Sequence, residues 1–264
     1  MKIIDAPSPN QNDRKFPLDM LVLHYTGMED GPSALARMRD EAAEVSAHYM
    51  VDESGDVYQL VPDEKRAWHA GRSSWQGDED LNSRSIGIEI VNGGHNVPLA
   101  DGSLPPYSLV QIDAVIELSK AIIKRHNIPQ SRIVGHSDIA PSRKEDPGEH
   151  FPWEAFASRG IGLWPSQPTA AEIHEYAHSN PELVLDAEGE AVAALQSKLL
   201  QIGYPVNSDG AYTQETADVV TAFQRRWNQA FVTGVADPLT QMLVERVAEL
   251  TAAHPVRGKD GPPV

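Results

Sequence analysis

The strongest constraint on the fold of this chain is a pair of short apolar runs, each ending in a histidine. Met20-Leu21-Val22-Leu23 leads into His24-Tyr25-Thr26-Gly27, and Ile133-Val134-Gly135 leads into His136. Apolar runs without polar alternation suit strands buried on both faces, and such strands need a sheet covered by helices. His24 and His136 therefore occupy equivalent places, at the ends of two buried strands, where ligand sites collect in sheets of this kind.

The stretch after His136, Gly135-His-Ser-Asp-Ile-Ala-Pro-Ser-Arg-Lys-Glu-Asp-Pro-Gly148, is rich in Gly, Pro and Ser and suits turns better than a helix or strand interior. Two readings are open at this point. One is a surface loop with ordinary polar residues; the other is a metal loop in which His136 and Asp146 are ligands and Lys144 faces the same cavity. The chain has no cysteine, so thiolate sites and disulfides are excluded and His, Asp and Glu are the only strong ligands.

The elements between the two runs fit an α/β domain. Pro32-Ser33 opens a segment with Leu35, Met38, Ala42 and Val45 at helical spacing, a predicted helix of three turns. His48 to Val51 and Val57 to Val61 flank Asp52-Glu53-Ser54-Gly55-Asp56 as a hairpin. In Ser85-Ile86-Gly87-Ile88-Glu89-Ile90-Val91 the isoleucines share one face and Glu89 lies on the other with Gly87. Glu89 reads either as a carboxylate with room for a ligand or as a solvent-facing residue on an edge strand. Ser108 to Asn127 is the clearest helix, with a predicted Ser108/Gln111 capping box, a stripe of Ile112, Val115, Ile116, Ile122 and Ile123, and Pro129 beyond its end.

Residues 1–164 are thus expected to form a mixed central β-sheet flanked by helices, after a polar, Pro-rich lead-in. A polar linker over 165–181 precedes a small three-helix module over 182–251, and 252–264 reads as a disordered tail. In the module, Val192, Leu195, Leu199 and Ile202 make a first stripe that stops at Gly203. Val220, Phe223 and Trp227 make a second, and Asp237-Pro238 opens the third.

A net charge of −16 argues against nucleic acid and anionic membranes as partners. No stretch approaches the ~20 apolar residues of a membrane span, and the opening MKIIDAPSPNQNDRKFP lacks the apolar core of a secretory signal. The expectation is a cytoplasmic protein, or a periplasmic one if a leader has been removed. Nothing in the sequence specifies an oligomeric state.

His24, His136 and Asp146 would give a catalytic zinc two imidazoles and one carboxylate, with a fourth position open. Amide hydrolysis also needs a base and a cation or donor for the oxyanion, and Glu89 and Lys144 supply those types. Candidate ligand contacts are His69, Trp75, Arg72, Arg84 and Arg143: aromatic faces for a ring and guanidinium groups for a carboxylate. His48 reads as a core histidine, and Trp68 as core or sugar contact.

His24-Tyr25-Thr26, Ala67-Trp68-His69-Ala70-Gly71, Ser85-Ile86-Gly87-Ile88-Glu89 and Gly135 to Gly148 resemble, in that order, the zinc-dependent N-acetylmuramoyl-L-alanine amidases of the AmpD and AmiD type. The resemblance runs from about Ser8 to Trp164. It implies one Zn2+ per chain on His24, His136 and Asp146, with Glu89 and Lys144 catalytic. The implied reaction is cleavage of the amide between the lactyl group of muramic acid and L-alanine of the stem peptide. Ser142 departs from the Gly or Gln expected in this pattern and touches only loop geometry. Leu195-Gln196, Gly203-Tyr204-Pro205-Val206, Asp209-Gly210, Ala222-Phe223-Gln224 and Thr233-Gly234 look like a peptidoglycan-binding domain; a helical cap that only stabilises the first domain is the other reading. The expected partner is a muropeptide or peptidoglycan, met in recycling of soluble anhydromuropeptides. The alternatives are an exported wall-remodelling amidase and a recognition protein that binds peptidoglycan without cutting it.

Overall fold

In the computed structural model, residues 2–255 are described; Met1 and 256–264, most of the expected tail, lie outside the described residues. The first half forms β1 (Ile3–Asp5), β2 (Gln11–Asp13), β3 (Met20–Tyr25), α1 (Gly31–Arg39), β4 (Tyr49–Val51), β5 (Val57–Gln59), β6 (Lys65–Ala67) and β7 (Ser85–Ile90). There follow α2 (Leu109–His126), β8 (Ile133–Gly135), α3 (His136–Ile139), α4 (Trp153–Ser158) and α5 (Ala170–Ala177), then α6 (Glu190–Ile202), α7 (Gln214–Trp227) and α8 (Pro238–Ala252).

Six strands among the described residues make one sheet in the order β1-β5-β4-β7-β3-β8, and β2 pairs with β6 apart from it. All neighbours in the large sheet are parallel except the β4/β5 hairpin, which forms as expected. β3 lies between β7 and β8 and is buried along its whole length. Its alternate residues serve two layers. Leu21 and Leu23 join Ile86, Ile88 and Ile90 against Ile112, Val115, Ile116 and Ile122 of α2. Met20 and Val22 join Val134, Trp75 and the interior of α6, α7 and α8. The second helical layer demanded by a doubly buried strand is thus supplied by the C-terminal module. Each fully buried aliphatic side chain contributes about 1.5–3 kcal/mol, so neither layer is dispensable.

The structure departs from the sequence expectations in several places. α1 stops at Arg39, because the Asp40 carboxylate accepts from Ala42 N (3.0 Å) and turns the chain into a 3-10 turn over Glu41–Ala43. The Ser108 hydroxyl caps α2 by accepting from Gln111 N (3.2 Å), but the Gln111 amide turns to the sheet and donates to Val91 O (2.8 Å), so only half of the box forms. The loop after Gly135 opens with a helical turn, α3, which Asp138 caps by accepting from Gly135 N (2.8 Å). Segment 165–181, expected as a polar linker, contains α5. Thr169 and Glu172 cap it reciprocally, and Tyr176 and Glu172 bond to Glu245 and Arg246 of α8. The polar lead-in contributes β1 and β2.

Candidate active site

In the parallel register His24 of β3 lies opposite Glu89 of β7, and Leu23 lies opposite Gly135 of β8. His136 therefore emerges beside His24, and Glu89 flanks it on the other side. Ser137 N donates to Asp146 O (2.9 Å), which folds the loop back so that Asp146 meets both histidines. His24 Nδ1, His136 Nδ1 and Asp146 Oδ2 form a triangle with edges of 3.0, 2.9 and 3.0 Å, all three residues being buried. Among the described residues this is the group of His and carboxylate side chains that could hold a metal ion.

The partners behind the triangle set the tautomers. His136 Nε2 lies 3.1 Å from Ala70 O, and a carbonyl only accepts, so Nε2 carries the proton and Nδ1 is bare. Ser85 Oγ donates to Leu81 O (2.6 Å) and accepts from His69 Nε2 (3.1 Å). His69 Nδ1 is then free to accept from His24 Nε2 (3.0 Å), which leaves His24 Nδ1 bare as well. Three unprotonated acceptors 2.9–3.0 Å apart repel one another unless a cation sits among them. Tetrahedral zinc, with bonds of about 2.0–2.1 Å, asks for edges of about 3.3 Å, close to those observed. The protonation states fit too. Burial, then the neighbouring His136, lowers the His24 pKa to about 4 and keeps that ring neutral. Burial alone would push the Asp146 carboxyl up, and positive charge on the His136 and His24 side outweighs it and holds it below the usual carboxylate range; with both Nδ1 atoms bare, that charge falls to a cation in the triangle.

Glu89 is of a different kind. Its Oε2 is buried with no hydrogen-bond partner among the described residues. Burial and then the Asp146 charge push its pKa well above the ordinary value, while Lys144 pulls it back. A carboxylate without an anchor and with a raised pKa is suited to taking a proton and returning it. Lys144 shares a cleft of about 480 Å3 with Glu89, His136, Asp146 and Arg143. It has no ion-pair partner among the described residues, so its charge is available to a ligand.

The remaining candidates separate. His69 borders the cleft, but both ring nitrogens are engaged behind His24, so it supports that residue and offers no free atom to a substrate. Trp68 lines the cleft and donates from Nε1 to Asn12 (3.0 Å). Arg143 is exposed at the rim and donates to the backbone carbonyl of Arg72; both border an adjoining groove of about 770 Å3. Trp75 is not a sugar contact. It is 2% exposed, donates to Ser131 O (3.1 Å) and packs edge-on against Tyr204 at 5.0 Å between ring centres. Arg84 is not at the cleft either. It precedes β7 whereas Glu89 is near its end, roughly 16 Å away at strand rise, and it pairs with Asp78 (3.3 Å) beneath Phe16. Ser85 was missed, although the period of two that puts Gly87 and Glu89 on one face includes it.

A helix-covered parallel sheet with two imidazoles and a carboxylate converging at strand ends, beside an unanchored glutamate and a lysine, is the architecture of a metal-assisted hydrolase. Comparison with known proteins makes this specific. The family model for N-acetylmuramoyl-L-alanine amidase matches residues 14–149, and that for a peptidoglycan binding domain matches residues 188–243. The N-acetylmuramoyl-L-alanine amidase AmiD of Escherichia coli K12 is 38% identical over 240 residues, covering 88% of this chain and 83% of AmiD. The 1,6-anhydro-N-acetylmuramyl-L-alanine amidase AmpD of Haemophilus influenzae is 42% identical over 115 residues, covering 43% of this chain and 58% of AmpD. The structure of E. coli AmiD with the substrate anhydro-N-acetylmuramic acid-L-Ala-D-γ-Glu-L-Lys superposes with a TM-score of 0.73 at 36% identity, over 93% of this chain and 91% of AmiD. The chain belongs to the N-acetylmuramoyl-L-alanine amidase family.

Proposed function

We propose that this protein is a zinc amidase that hydrolyses the amide between the lactyl group of (anhydro)N-acetylmuramic acid and L-alanine of the stem peptide. One zinc per chain is held by His24, His136 and Asp146. The observation that carries this reading is the triangle of three bare acceptors, two of them stripped of their protons by Ala70 O and the His69–Ser85 pair. Zinc held there supplies Lewis acidity toward a carbonyl oxygen and lowers the pKa of a water to about 7.

The chain's own residues do the rest. Glu89, raised in pKa by burial, accepts the proton of the attacking water and passes it to the departing alanine nitrogen. The Lys144 ammonium faces the same cleft and offsets the negative charge that develops on the carbonyl oxygen, a role worth about 2.7–4 kcal/mol where one such donor is removed. Arg143 and Arg72, exposed at the rim, are placed to meet stem-peptide carboxylates.

The names of the relatives support an anhydromuropeptide substrate, and the first reading of the biological role is recycling of such muropeptides in the cytoplasm. A second reading, a remodelling amidase working on the wall polymer outside the cytoplasm, is favoured by the peptidoglycan-binding match over residues 188–243. Rates on soluble anhydromuropeptide and on intact sacculi, with fractionation of the native protein, separate the two. The mechanism is tested by Glu89→Ala. Zinc content should stay at one per chain while cleavage falls by about two to four orders of magnitude. Wild-type cleavage by a zinc-loaded Glu89→Ala protein would overturn the assignment.

A further inference from the structure

The C-terminal module reaches into the loop that carries two of the three triangle residues. Asp138 of α3 is completely buried and receives three hydrogen bonds. Its Oδ2 accepts from Gly135 N (2.8 Å) and from Arg226 Nη1 of α7 (2.7 Å), and its Oδ1 accepts from the Tyr204 hydroxyl after α6 (2.6 Å). Arg226 Nη2 also donates to Ile133 O (3.0 Å), so one guanidinium ties the start of the short strand β8, three residues before His136, to Asp138 in the turn that His136 opens. The Arg226 guanidinium is itself clamped between the Trp153 and Trp227 rings, 4.3 Å from each centre. Next to it on α7, Arg225 donates to Glu145 Oε1 (2.8 Å), the neighbour of Asp146.

A surface-binding appendage has no need of a buried, triply bonded carboxylate shared with the other domain. Burying Arg226 and Asp138 costs hydration on both sides, which is recovered only if the geometry is held closely. What that geometry fixes is the strand-to-helix junction from which His136 projects.

We propose that the C-terminal module is a working part of the metal site, in which Tyr204 and Arg226, acting through Asp138, are positioning residues for His136, with Arg225 steadying the Asp146 end of the loop. This goes beyond the wall-binding role suggested by the family match and rests on the reading of His136 as a zinc ligand. The full chain folds with both domains sharing a core, so the metal-binding loop is set only when the module is docked.

The test is competition for zinc between the full-length protein and a chromophoric chelator, with hydrogen exchange of the 135–148 amides in the metal-free protein as a second readout. Tyr204→Phe and Arg226→Met should each weaken zinc binding measurably, with the loss of about 10–100-fold for a group bonded directly to a metal ligand as the upper limit. Exchange in 135–148 should quicken, while sedimentation with sacculi is unchanged. Arg246→Ala, which breaks the pair with Glu172 elsewhere on the module, should do none of this. If Arg226→Met does not fold, Tyr204→Phe decides, since it deletes one oxygen. Wild-type zinc affinity in a folded Tyr204→Phe or Arg226→Met protein overturns the inference. Zinc affinity untouched by His136→Ala would instead overturn the site on which it rests.

Discussion

Gly87 is a position at which the site can be perturbed without replacing a residue of the triangle, Glu89 or Lys144. A Cβ built there would lie 2.5 Å from His69 Cγ and 2.6 Å from His69 Nδ1. The ring has nowhere to go: its nitrogens are tied to His24 and Ser85, and the His48 ring packs edge-on against it at 5.6 Å. Gly87→Ala should therefore cost about 1–3 kcal/mol as an overpacked core does. That lowers the melting temperature by roughly 2–4 °C per kcal/mol in a chain of about this size. Displacing His69 also removes the acceptor that sets the His24 tautomer, so zinc affinity should fall about 10–100-fold. The cause is isolated by a double-mutant cycle with His69→Ala, read by urea unfolding. Without the ring, the alanine at this extended position should be neutral or stabilising by about 0.4–1 kcal/mol. The coupling between the two changes should then be about 1–4 kcal/mol. Additive costs would refute the steric account of why position 87 has no side chain.

Other consequences follow from the same coordinates. His48 is buried and accepts from Gly87 N at Nδ1 (3.0 Å), and burial followed by the Arg14 charge lowers its pKa from 6.5 to about 3. The unfolded chain takes up this proton first, so the stability it contributes is complete above about pH 6.5 and is lost as pH falls toward 3. Urea melts of wild type and His48→Gln should differ in pH dependence by about 2–3 kcal/mol between pH 6.5 and 4.5, wild type losing more; parallel curves would exclude a buried neutral His48. Trp75→Ala should cost about 3–5 kcal/mol by opening a cavity between the domains, with KM for muropeptide unchanged in the folded fraction; a raised KM would restore Trp75 as a substrate contact. Gly203→Ala should show the same pattern, because its Cβ would meet Trp75 Cε2 at 2.9 Å.

The parts of the molecule that were legible in the sequence are those in which one residue type does one job over several turns or strand positions. The Met20–Leu23 run, the isoleucines of Ser85 to Ile90 and the stripes of α6 and α7 bury what their pattern says they bury, and the α2 stripe does so except at Ile123, which is only partly buried. His24 and His136 were readable for the same reason, since a strand end is set by the run before it. What was hidden depends on partners distant in the chain. β1 and β2 are three residues long and partly exposed, so no period can show them. α5 buries none of its residues and is held by its cap and by α8, although Thr169 and Glu172 carry the box signature. Trp75 and Arg84 have the chemistry of ligand contacts, but chemistry does not say which end of a strand or which neighbour a side chain meets. Asp138 stood in plain view between the two ligands, yet its partners lie 66 and 88 residues away.

The central claim, hydrolysis of the lactyl amide at a zinc held by His24, His136 and Asp146, is tested most directly by mass spectrometry of an anhydromuropeptide digest in 18O-labelled water, run with zinc-loaded, chelator-stripped and zinc-restored protein. The account predicts two products, a free peptide beginning at L-alanine and an anhydromuramic acid carrying the label in its new carboxyl group. Both should disappear on chelation and return with zinc. Cleavage that persists in the stripped protein, or a label found at any other bond, would contradict it.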